Sequence, residues 1–435
     1  MKRSPANGAK SRSPRERTSS PALRERVRRL KAVVDAGALA QRTFDLSTIA
    51  EQIISTAARC IGAERGSLFL VDRETGVLSS LVAQGVNGRL LTLAPGEGIA
   101  GAVVRTGKPI LLSNPYSDWR FDPSVDEATG FTTRSLLTVP VRSREGHLVA
   151  VLQLLNHRRG RFTQGDVSFL AELAVPFAAA LETAHNHQAI LERERLLQEI
   201  RTAAEIQETL RPKDLHAVPG LEISVLCKPC LEVGGDYFDC IPGRDGSWWL
   251  VVADVSGKGV PAALIASNMQ AFLWCRRNSE TPLVETASEG NNLLYKLAEG
   301  RKYLSLVLAE WWPGSRELRW VNAGHPPMLL QKKRKKILRL GATGPPLGLL
   351  PGMSFTSGSL LLEKGDVLLA LTDGVTEASR ELGGEEFGLE RAAQCLKRSG
   401  GAETAVHALN EAVMDFLAGG SLRDDLTVLC ARCLG

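Results

Sequence analysis

The spacing of apolar residues divides the first half of the chain into helices and short strands. Apolar residues three and four positions apart predict helices at residues 23–40, 46–61 and 164–184. Between the helices, short apolar runs separated by glycine-containing turns predict strands at SLFLVD, LSSLVAQ, SLLTVPV and HLVAVLQLLN. This order of elements predicts an α+β domain with an antiparallel sheet over residues 40–185.

A helical segment without Gly or Pro follows, at residues 185–211. Steps of four and three alternate between its inward positions, which are Leu196, Ile200, Ala203, Gln207 and Leu210. This seam predicts a short coiled-coil linker at residues 186–211, ended by Pro212, and hence a homodimer. A single helix packed on its own domain is the alternative, because three heptads are too few to distinguish the two.

The charge of the chain is concentrated at its N-terminus. The 435 residues carry a net charge of +5, and residues 1–31 alone carry eleven Lys or Arg against two Glu, so the remainder is net negative. Residues 1–25 are also rich in Ser and Pro, which predicts a disordered basic tail. No aromatic residues are interleaved for base stacking, so nucleic acid is not the favoured partner.

Composition indicates a protein of two or three domains outside the membrane. The chain is 44% hydrophobic and 23% charged. No uninterrupted apolar run approaches the roughly 18 residues of a membrane span, and the N-terminus lacks a signal-peptide core. We therefore expect a cytoplasmic protein without a membrane partner.

Cysteines offer a second candidate chemistry. Cys227 with Cys230, and Cys430 with Cys433, have C-x-x-C spacing, which suits zinc if the two segments meet. Both pairs lie in strand-like runs, where residues three apart point to opposite faces. We expect packing cysteines and leave zinc binding as the alternative.

Residues 26–185 form the first predicted domain, and they resemble a GAF domain, a ligand-sensing module. The resemblance rests on AERGSLFLVD, on PGEGIAGAVVRTGKPILLSNPYSDWRF, and on the strands TRSLLTVPV and VLQLLN followed by FTQGDVSFLAELA. Asn114, Phe121, Asp126 and Glu127 are similar to the signature of GAF domains that bind cyclic nucleotides, but Pro115 replaces its Lys. Cyclic-nucleotide binding is an open hypothesis, and the GAF ligand is unknown.

The second half of the chain joins acidic residues to apolar runs. The motifs are VGGDYFD with Asp236 and Asp239, VVADVSGKG with Asp254, LLALTDGVTEA with Asp373, and RDDLTVL with Asp424 and Asp425. Converging carboxylates repel one another unless divalent cations relieve the repulsion, and all-oxygen ligands favour Mg²⁺ or Mn²⁺. Two such ions, about 4 Å apart, can activate a shared water against a phosphate ester. Taken singly, each motif could be only a turn.

Residues 203–435, which include the predicted domain at residues 212–435, resemble the metal-dependent Ser/Thr protein phosphatase superfamily, in its bacterial sporulation and stress-response branch. The resemblance rests on IQETLRPKDL, EVGGDYFD, ADVSGKGVPAAL, WVNAGHPP, GPPLG, LTDGVTEA and DDLTVL, in the order of the family. It implies an αββα sandwich with two Mn²⁺ or Mg²⁺ ions at one edge. It further implies that a water bridging the two ions attacks the phosphoryl group.

The resemblance also implies roles for the acids. Asp254 would bridge the two ions, assisted by the main-chain carbonyl of Val255, and Asp236 would bind one of them. Asp373 and Asp424 would complete the other ion's ligands. Asp239 and Asp425 are candidates for supporting these ligands from behind.

Together these features predict a signal-regulated protein serine/threonine phosphatase. By resemblance, its substrate would be a phosphorylated STAS-type anti-anti-sigma factor in a partner-switching cascade that controls a sigma factor. A non-catalytic GAF-based docking protein is the first alternative. A nucleotide cyclase is the second, because GGDYF is similar to the GGDEF loop of diguanylate cyclases, although Tyr237 stands where that loop requires an acid.

Two further features of the second half have alternative readings. His325 in NAGHPP could protonate a leaving serine oxygen, but we expect a structural role in a strand and turn. The basic run KKRKK at residues 332–336 predicts an exposed hairpin turn, with steering of an acidic partner as the alternative.

Overall fold

A computed structural model describes residues 21–38, 43–84, 91–332, 336–381 and 383–435. Most of the predicted basic tail and the centre of the KKRKK run lie outside the described residues. The chain divides into two compact units, with the division between Glu194 and Arg195.

The first unit is built on one antiparallel sheet. Its helices are α1 (Pro21–Gly37), α2 (Leu46–Ile61), α3 (Gly98–Thr106), α4 (Ser124–Thr129) and the start of α5 (Gln164–Leu210). Its strands are β1 (Ala63–Val71), β2 (Leu78–Ala83), β3 (Thr92–Leu93), β4 (Ile110–Leu112), β5 (Leu136–Arg142) and β6 (Leu148–His157). The strand order is β3-β2-β1-β6-β5-β4, which confirms the predicted α+β class with an antiparallel sheet.

Helix α2 shows why the apolar pattern located the helices well. Asp45 caps its N-terminus by accepting a hydrogen bond from the Thr48 amide, and Gly62 ends it in the left-handed conformation. Ile49, Ile53 and the neighbouring Ile54 are fully buried against the sheet. The helix therefore spans the predicted residues.

Helix α5 differs from the prediction because it is one element, not two. It runs without a break from Gln164 to Leu210 and contains Pro176. No Gly follows Gly165 within it, so nothing separates the predicted domain helix from the predicted linker helix. It ends two residues before Pro212, as the restriction on residues preceding proline predicts.

The same helix is the described candidate for a membrane span by length and composition, counted as Gln164–Ala217. Its most apolar 18-residue window has a mean hydropathy of 1.5, and 56% of that window is buried inside the protein. Leu173, Phe177 and Leu181 are almost fully buried in the core of the first unit. The apolar composition is thus that of a core helix.

The second unit contains two antiparallel sheets. Its strands are β7 (Leu221–Lys228), β8 (Tyr237–Pro242), β9 (Trp248–Val255), β10 (Leu304–Trp312), β11 (Glu317–Ala323), β12 (Met328–Gln331), β13 (Ile337–Leu340), β14 (Gly358–Leu361), β15 (Val367–Leu371) and β16 (Leu426–Cys433). Its helices are α6 (Val260–Arg276), α7 (Leu283–Ala298), α8 (Asp373–Thr376), α9 (Gly388–Arg398) and α10 (Ala402–Leu417). The strand orders are β14-β11-β10-β9-β8 and β13-β12-β15-β16-β7.

The two sheets pack face to face. Successive residues of β9 point in opposite directions, as in any strand. Leu250 and Val252 pack between the sheets with Leu429 of β16, whereas Val251 and Ala253 pack against α6 and α7. On the far side, β15 and β16 pack against α9 and α10. The layers are helix, sheet, sheet and helix, which confirms the αββα sandwich.

Antiparallel pairing brings the acidic strand ends together. In the first sheet, the end of β9 lies beside the start of β8, with Ala253 opposite Tyr237. In the second sheet, the end of β15 lies beside the start of β16, with Leu371 opposite Val428. The acids that flank these paired ends are Asp236 and Asp254 in the first sheet and Asp373 and Asp424 in the second.

Candidate metal centre

The acidic strand ends of the two sheets meet at one cavity of about 540 Å³. Its wall includes Asp254 from β9, Asp373 from the start of α8, and Asp424 from the loop before β16. The main chain of Val255 also lines it. Folding therefore gathers carboxylates that are far apart in the sequence.

Asp236 does not line this cavity but is buried beside Asp254. Its Oδ2 accepts a hydrogen bond of 2.9 Å from Thr372 Oγ1. Its Oδ1 is buried and receives no hydrogen bond from the described residues. A buried carboxylate oxygen without a donor is costly unless it is protonated or bound to a cation.

Crowding and burial raise the pKa values of these acids. Burial, followed by the charges of Asp373 and Asp424, raises the pKa of Asp254 to about 7. Burial, followed by the charge of Asp254, raises the pKa of Asp236 well above its ordinary value. Burial and then Asp424 raise the pKa of Asp373. A divalent cation would relieve this shared repulsion.

Asp239 and Asp425 have different surroundings. Asp425 receives the amide of Cys230 on Oδ1 at 2.8 Å and the amide of Gly235 on Oδ2 at 2.6 Å. Asp239 Oδ2 accepts hydrogen bonds from Tyr237 Oη at 2.9 Å and Trp274 Nε1 at 2.8 Å. Both carboxylates thus accept hydrogen bonds from protein donors, which suits the supporting role predicted for them. The predicted cation ligands are the other four acids.

Lys258 contributes positive charge to the site. Its Nζ lies 3.0 Å from Asp424 Oδ2 and also donates to the main-chain carbonyl of Arg423. Burial acts to lower the pKa of Lys258, but the hydrogen bond to Asp424 and that residue's charge outweigh burial and raise it. The Lys258 charge in turn lowers the pKa of Asp373.

Glycines permit the close approach of the acidic loops. A Cβ on Gly374 would lie 2.0 Å from the carbonyl oxygen of Asp425, so any side chain there would push α8 away from the start of β16. Gly257 follows Val255 with φ +94°, a conformation that favours glycine. These two positions explain why TDG and SGKG follow the strands.

His325 is buried at the wall of the cavity. Its Nδ1 lies 2.7 Å from Ser305 Oγ, and its main-chain amide donates to Asn322 Oδ1 at 2.8 Å. Burial lowers the pKa of His325 to about 3, with only a small opposing effect from the Leu371 carbonyl. The imidazole is therefore neutral at physiological pH, which supports the structural role and not acid catalysis.

The donor set fits a hard divalent cation. It consists of carboxylate and carbonyl oxygens, one of them the buried Asp236 Oδ1 without a donor, and this chemistry suits Mg²⁺ or Mn²⁺. Across the described parts of the chain, no three His, Cys, Asp or Glu side chains already close around a common point. Cation binding would therefore require side-chain adjustment around the cavity.

Sequence reasoning missed three residues of this cavity region. Glu377 lines the wall, and burial followed by the charge of Asp373 raises its pKa. Glu377 follows Asp373 by four residues, and on a helical turn this spacing places two side chains next to each other, so the sequence could have indicated it. Ser305 was not predictable from spacing, because only the pairing of β10 with β9 places it opposite Asp254. Lys258 lies within the VVADVSGKG motif, but its spacing alone does not indicate a contact with Asp424.

The first unit contains a cavity of its own, of about 420 Å³. Phe121, Asp126 and Phe131 are among the residues that line it. Asp126 is buried and accepts hydrogen bonds from Tyr116 Oη at 2.8 Å and from the Thr133 amide at 2.7 Å. Its carboxylate is thus held by protein donors, and cyclic-nucleotide binding stays a hypothesis.

Cys430 and Cys433 pack on opposite faces of β16, as their strand positions predicted, whereas Cys230 lies just beyond the end of β7. Cys430 lies in the core between β16 and the helices, whereas Cys433 lies in the core between the sheets. Burial raises the pKa of Cys227 to about 11, and its Sγ accepts a hydrogen bond from Thr427 Oγ1 at 3.2 Å. Burial likewise raises the pKa of Cys230 to about 11, so both thiols are protonated at neutral pH.

Comparison with known proteins shows a match to one family in each half of the chain. Residues 244–434 match the family described as Stage II sporulation protein E (SpoIIE), and residues 44–182 match the family described as GAF domain. Protein IcfG of Synechocystis sp. is 25% identical over 259 residues, which cover 53% of this chain and 41% of that protein. Phosphoserine phosphatase RsbU of Bacillus subtilis is 25% identical over 219 residues, which cover 50% of this chain and 64% of RsbU.

A solved structure supports the fold of the second unit. The SiaA-PP2C domain of Pseudomonas aeruginosa superposes with a TM-score of 0.50 at 20% identity, covering 55% of this chain and 98% of that domain. This likeness concerns the fold alone, and the chain spans 41% and 64% of the two relatives. The chain therefore joins a GAF domain to a domain of the SpoIIE family.

Proposed function

We propose that the chain is a metal-dependent protein serine/threonine phosphatase, a phosphoric monoester hydrolase. The observation that carries this proposal is the gathering of Asp254, Asp373 and Asp424 around one cavity. The similarity to a protein named phosphoserine phosphatase agrees with it. Hydrolysis would break the phosphorus–oxygen bond of a phosphoserine or phosphothreonine, with water supplying the hydroxyl of the phosphate and the proton of the freed side chain.

The site residues fall into two groups: those that would bind the cations and those that hold the surrounding loops in place. Asp236, Asp254, Asp373, Asp424 and the carbonyl of Val255 would hold two Mn²⁺ or Mg²⁺ ions. Bound cations would supply water activation and neutralise the negative charge of the phosphoryl group.

Three other residues support those ligands. Asp425 fixes the main chain at Gly235, next to Asp236. Thr372 orients the Asp236 carboxylate. Neutral His325 holds Ser305, which lies beside Asp254, and takes no part in proton transfer.

The test is release of inorganic phosphate from a phosphoserine peptide by metal-free protein to which Mn²⁺ is returned. We expect hydrolysis that saturates with Mn²⁺, is lost with chelator and falls at least about 100-fold in Asp254→Asn. Asp245→Asn, in the exposed turn between β8 and β9, is the matched control and should behave as wild type. Hydrolysis that is indifferent to chelator contradicts the proposal, and absent hydrolysis with retained substrate binding favours the docking protein.

We further propose a phosphorylated STAS-domain protein as the substrate, within a partner-switching cascade that regulates a sigma factor. The similarity to RsbU and the SpoIIE family match support this choice. The protein would act in the cytoplasm. Measuring dephosphorylation of a purified phospho-STAS protein against an unrelated phosphoserine protein tests it, and equal rates would count against this substrate.

We also propose that helix α5 carries a signal from the GAF domain to the phosphatase domain. The helix runs unbroken from the GAF core to Leu210. Near its end, the Gln207 side chain donates to the Gly234 carbonyl at 2.8 Å and accepts from the Gly234 amide at 3.3 Å. Gly234 lies two residues before Asp236, so a movement of the helix end would reach a predicted metal ligand.

A homodimer through the same helix completes the proposal. Leu196 and Ile206 are 51% and 57% exposed, so α5 presents apolar side chains that no described residue covers fully. Burying them against a second copy would remove apolar surface from water.

A further inference from the structure

Lys258 connects two of the acidic loops of the candidate metal centre. It follows the strand that carries Asp254, yet its Nζ lies 3.0 Å from Asp424 Oδ2. The same ammonium donates to the main-chain carbonyl of Arg423. Lys258 thus joins the SGKG loop of the first sheet to the RDD loop of the second.

The position of Lys258 is set by a firmly held loop. The Lys302 ammonium donates to the Ser256 carbonyl at 2.8 Å. The Tyr303 amide donates to Ser256 Oγ at 3.0 Å, and the Ser256 amide donates to the Tyr303 carbonyl at 2.9 Å. The loop is therefore fixed at Ser256 by three hydrogen bonds, and it presents Lys258 at the RDD loop.

The contact occupies Asp424. Oδ2 faces Lys258, and Oδ1 accepts the Asp425 amide at 3.0 Å. An ammonium ion and a divalent cation cannot both lie against the same carboxylate oxygen without strong mutual repulsion. A cation that binds Asp424 must therefore displace Lys258 from it.

We propose that Lys258 is a built-in counter-ion that competes with the divalent cation for Asp424 and so weakens cation binding. The proposal rests on the metal-dependent function proposed above. In the cation-free protein the Lys258 contact stabilises the meeting of the two acidic loops. Cation binding breaks that contact. The free energy lost with the contact lowers the affinity for the cation, and so lowers the fraction of sites occupied at a given cation concentration.

The experiment is a calorimetric titration of Mn²⁺ into the full chain after chelator treatment. Lys258→Gln is expected to bind Mn²⁺ about three- to tenfold more tightly, because the competing charge is gone. Lys258→Arg keeps the charge and should stay within about twofold of wild type. Lys397→Gln is the matched control, because it removes an equal charge from an exposed position on α9, and a change of less than about twofold is expected.

A second readout is the thermal midpoint. Lys258→Gln should unfold at a lower temperature than wild type without cation, yet gain more from saturating Mn²⁺. The larger gain follows because the stabilisation by a bound ligand increases with the logarithm of its affinity.

The outcomes separate the inference from the function on which it rests. A wild-type chain that binds no Mn²⁺, or an Asp254→Asn variant that binds it equally well, contradicts the metal-dependent function. If wild type binds and Asp254→Asn does not, unchanged or weaker binding in Lys258→Gln overturns the competition. An equal gain in Lys397→Gln, or in Lys258→Arg, also overturns it.

Discussion

At the scale of single residues, the site is governed by the cost of burying like charges. Asp254 has its pKa raised to about 7 by burial and by the carboxylates of Asp373 and Asp424. Asp236 carries a buried oxygen without a donor. Such an arrangement destabilises the cation-free protein and becomes favourable only when positive charge is supplied.

This cost predicts a pH dependence. A folded-state pKa near 7, above the ordinary 3.8, means that the folded protein binds more protons than the unfolded chain between those values. The free energy of unfolding of the cation-free protein should therefore lose the Asp254 contribution as the pH rises from about 4 to 7. Asp254→Asn removes the penalty, so its stability relative to wild type should increase over that interval by on the order of 1–3 kcal/mol.

Urea unfolding in chelator at pH 5 and pH 7.5 measures this difference. The exposed-turn variant Asp245→Asn is the control and should show no comparable change. A relative stability of Asp254→Asn that is flat or decreasing with pH would show that this carboxylate carries no such penalty.

Gly374 gives a second prediction at this scale. A Cβ there would lie 2.0 Å from the Asp425 carbonyl oxygen, so Gly374→Ala must separate α8 from the start of β16. We expect a loss of about 2 kcal/mol or more in the free energy of unfolding, together with weaker Mn²⁺ binding.

Gly314→Ala is the matched change, because a Cβ at Gly314 would meet nothing within 4 Å. Chemical denaturation of both variants decides the matter. Equal stabilities for the two would mean that the loops can separate without cost.

At the scale of elements, the candidate ligands flank strand ends, and α5 contacts the loop before one of them through Gln207. Sequence predicted the acids correctly as strand-end residues because apolar runs beside Asp-Gly and Asp-Asp motifs are visible without a structure. It could not predict Ser305, whose place depends on β10 pairing with β9. It also divided α5 into two helices, although the residues after Ala184 offered no breaking signal.

The contact between Gln207 and Gly234 is the element-scale prediction. Gln207→Ala removes two hydrogen bonds to the loop that precedes Asp236. We expect the Mn²⁺ concentration for half-maximal phosphate release to rise several-fold and the free energy of unfolding to fall by about 0.5–1.5 kcal/mol.

Gln198→Ala lies on the exposed surface of the same helix and is the control. It should change neither quantity. If Gln207→Ala lowers stability but leaves the Mn²⁺ requirement untouched, the contact holds the fold and does not position the metal loop.

At the scale of the whole molecule, the side chain at one of the five predicted coiled-coil positions is already engaged within its own chain. Gln207 bonds within its own chain, and the Leu210 carbonyl accepts a hydrogen bond of 2.8 Å from Gln270 Nε2. The apolar spacing of α5 could not predict these contacts, because it does not show which residues of the helix bond to the rest of the folded domain. The side chains of Leu196, Ile200, Ala203 and Leu210, the last of them 47% exposed, remain for the proposed pairing with a second copy.

Sedimentation velocity at micromolar concentration tests the dimer. We expect wild type to sediment as a dimer and Leu196→Glu to sediment as a monomer, because a buried charge in the seam is unpaired. Thr202→Glu, on the exposed side of α5, should remain dimeric. If the wild type sediments as a monomer, the result favours the alternative, a single helix packed on its own domain.

The central claim is that folding gathers distant carboxylates into a site for hard cations. Anomalous diffraction at the manganese absorption edge, from crystals grown with Mn²⁺, tests this most directly. The account predicts manganese peaks in the cavity bounded by Asp254, Asp373 and Asp424, and their loss in crystals of Asp254→Asn. Well-ordered crystals whose cavity contains no manganese at saturating Mn²⁺ would contradict it.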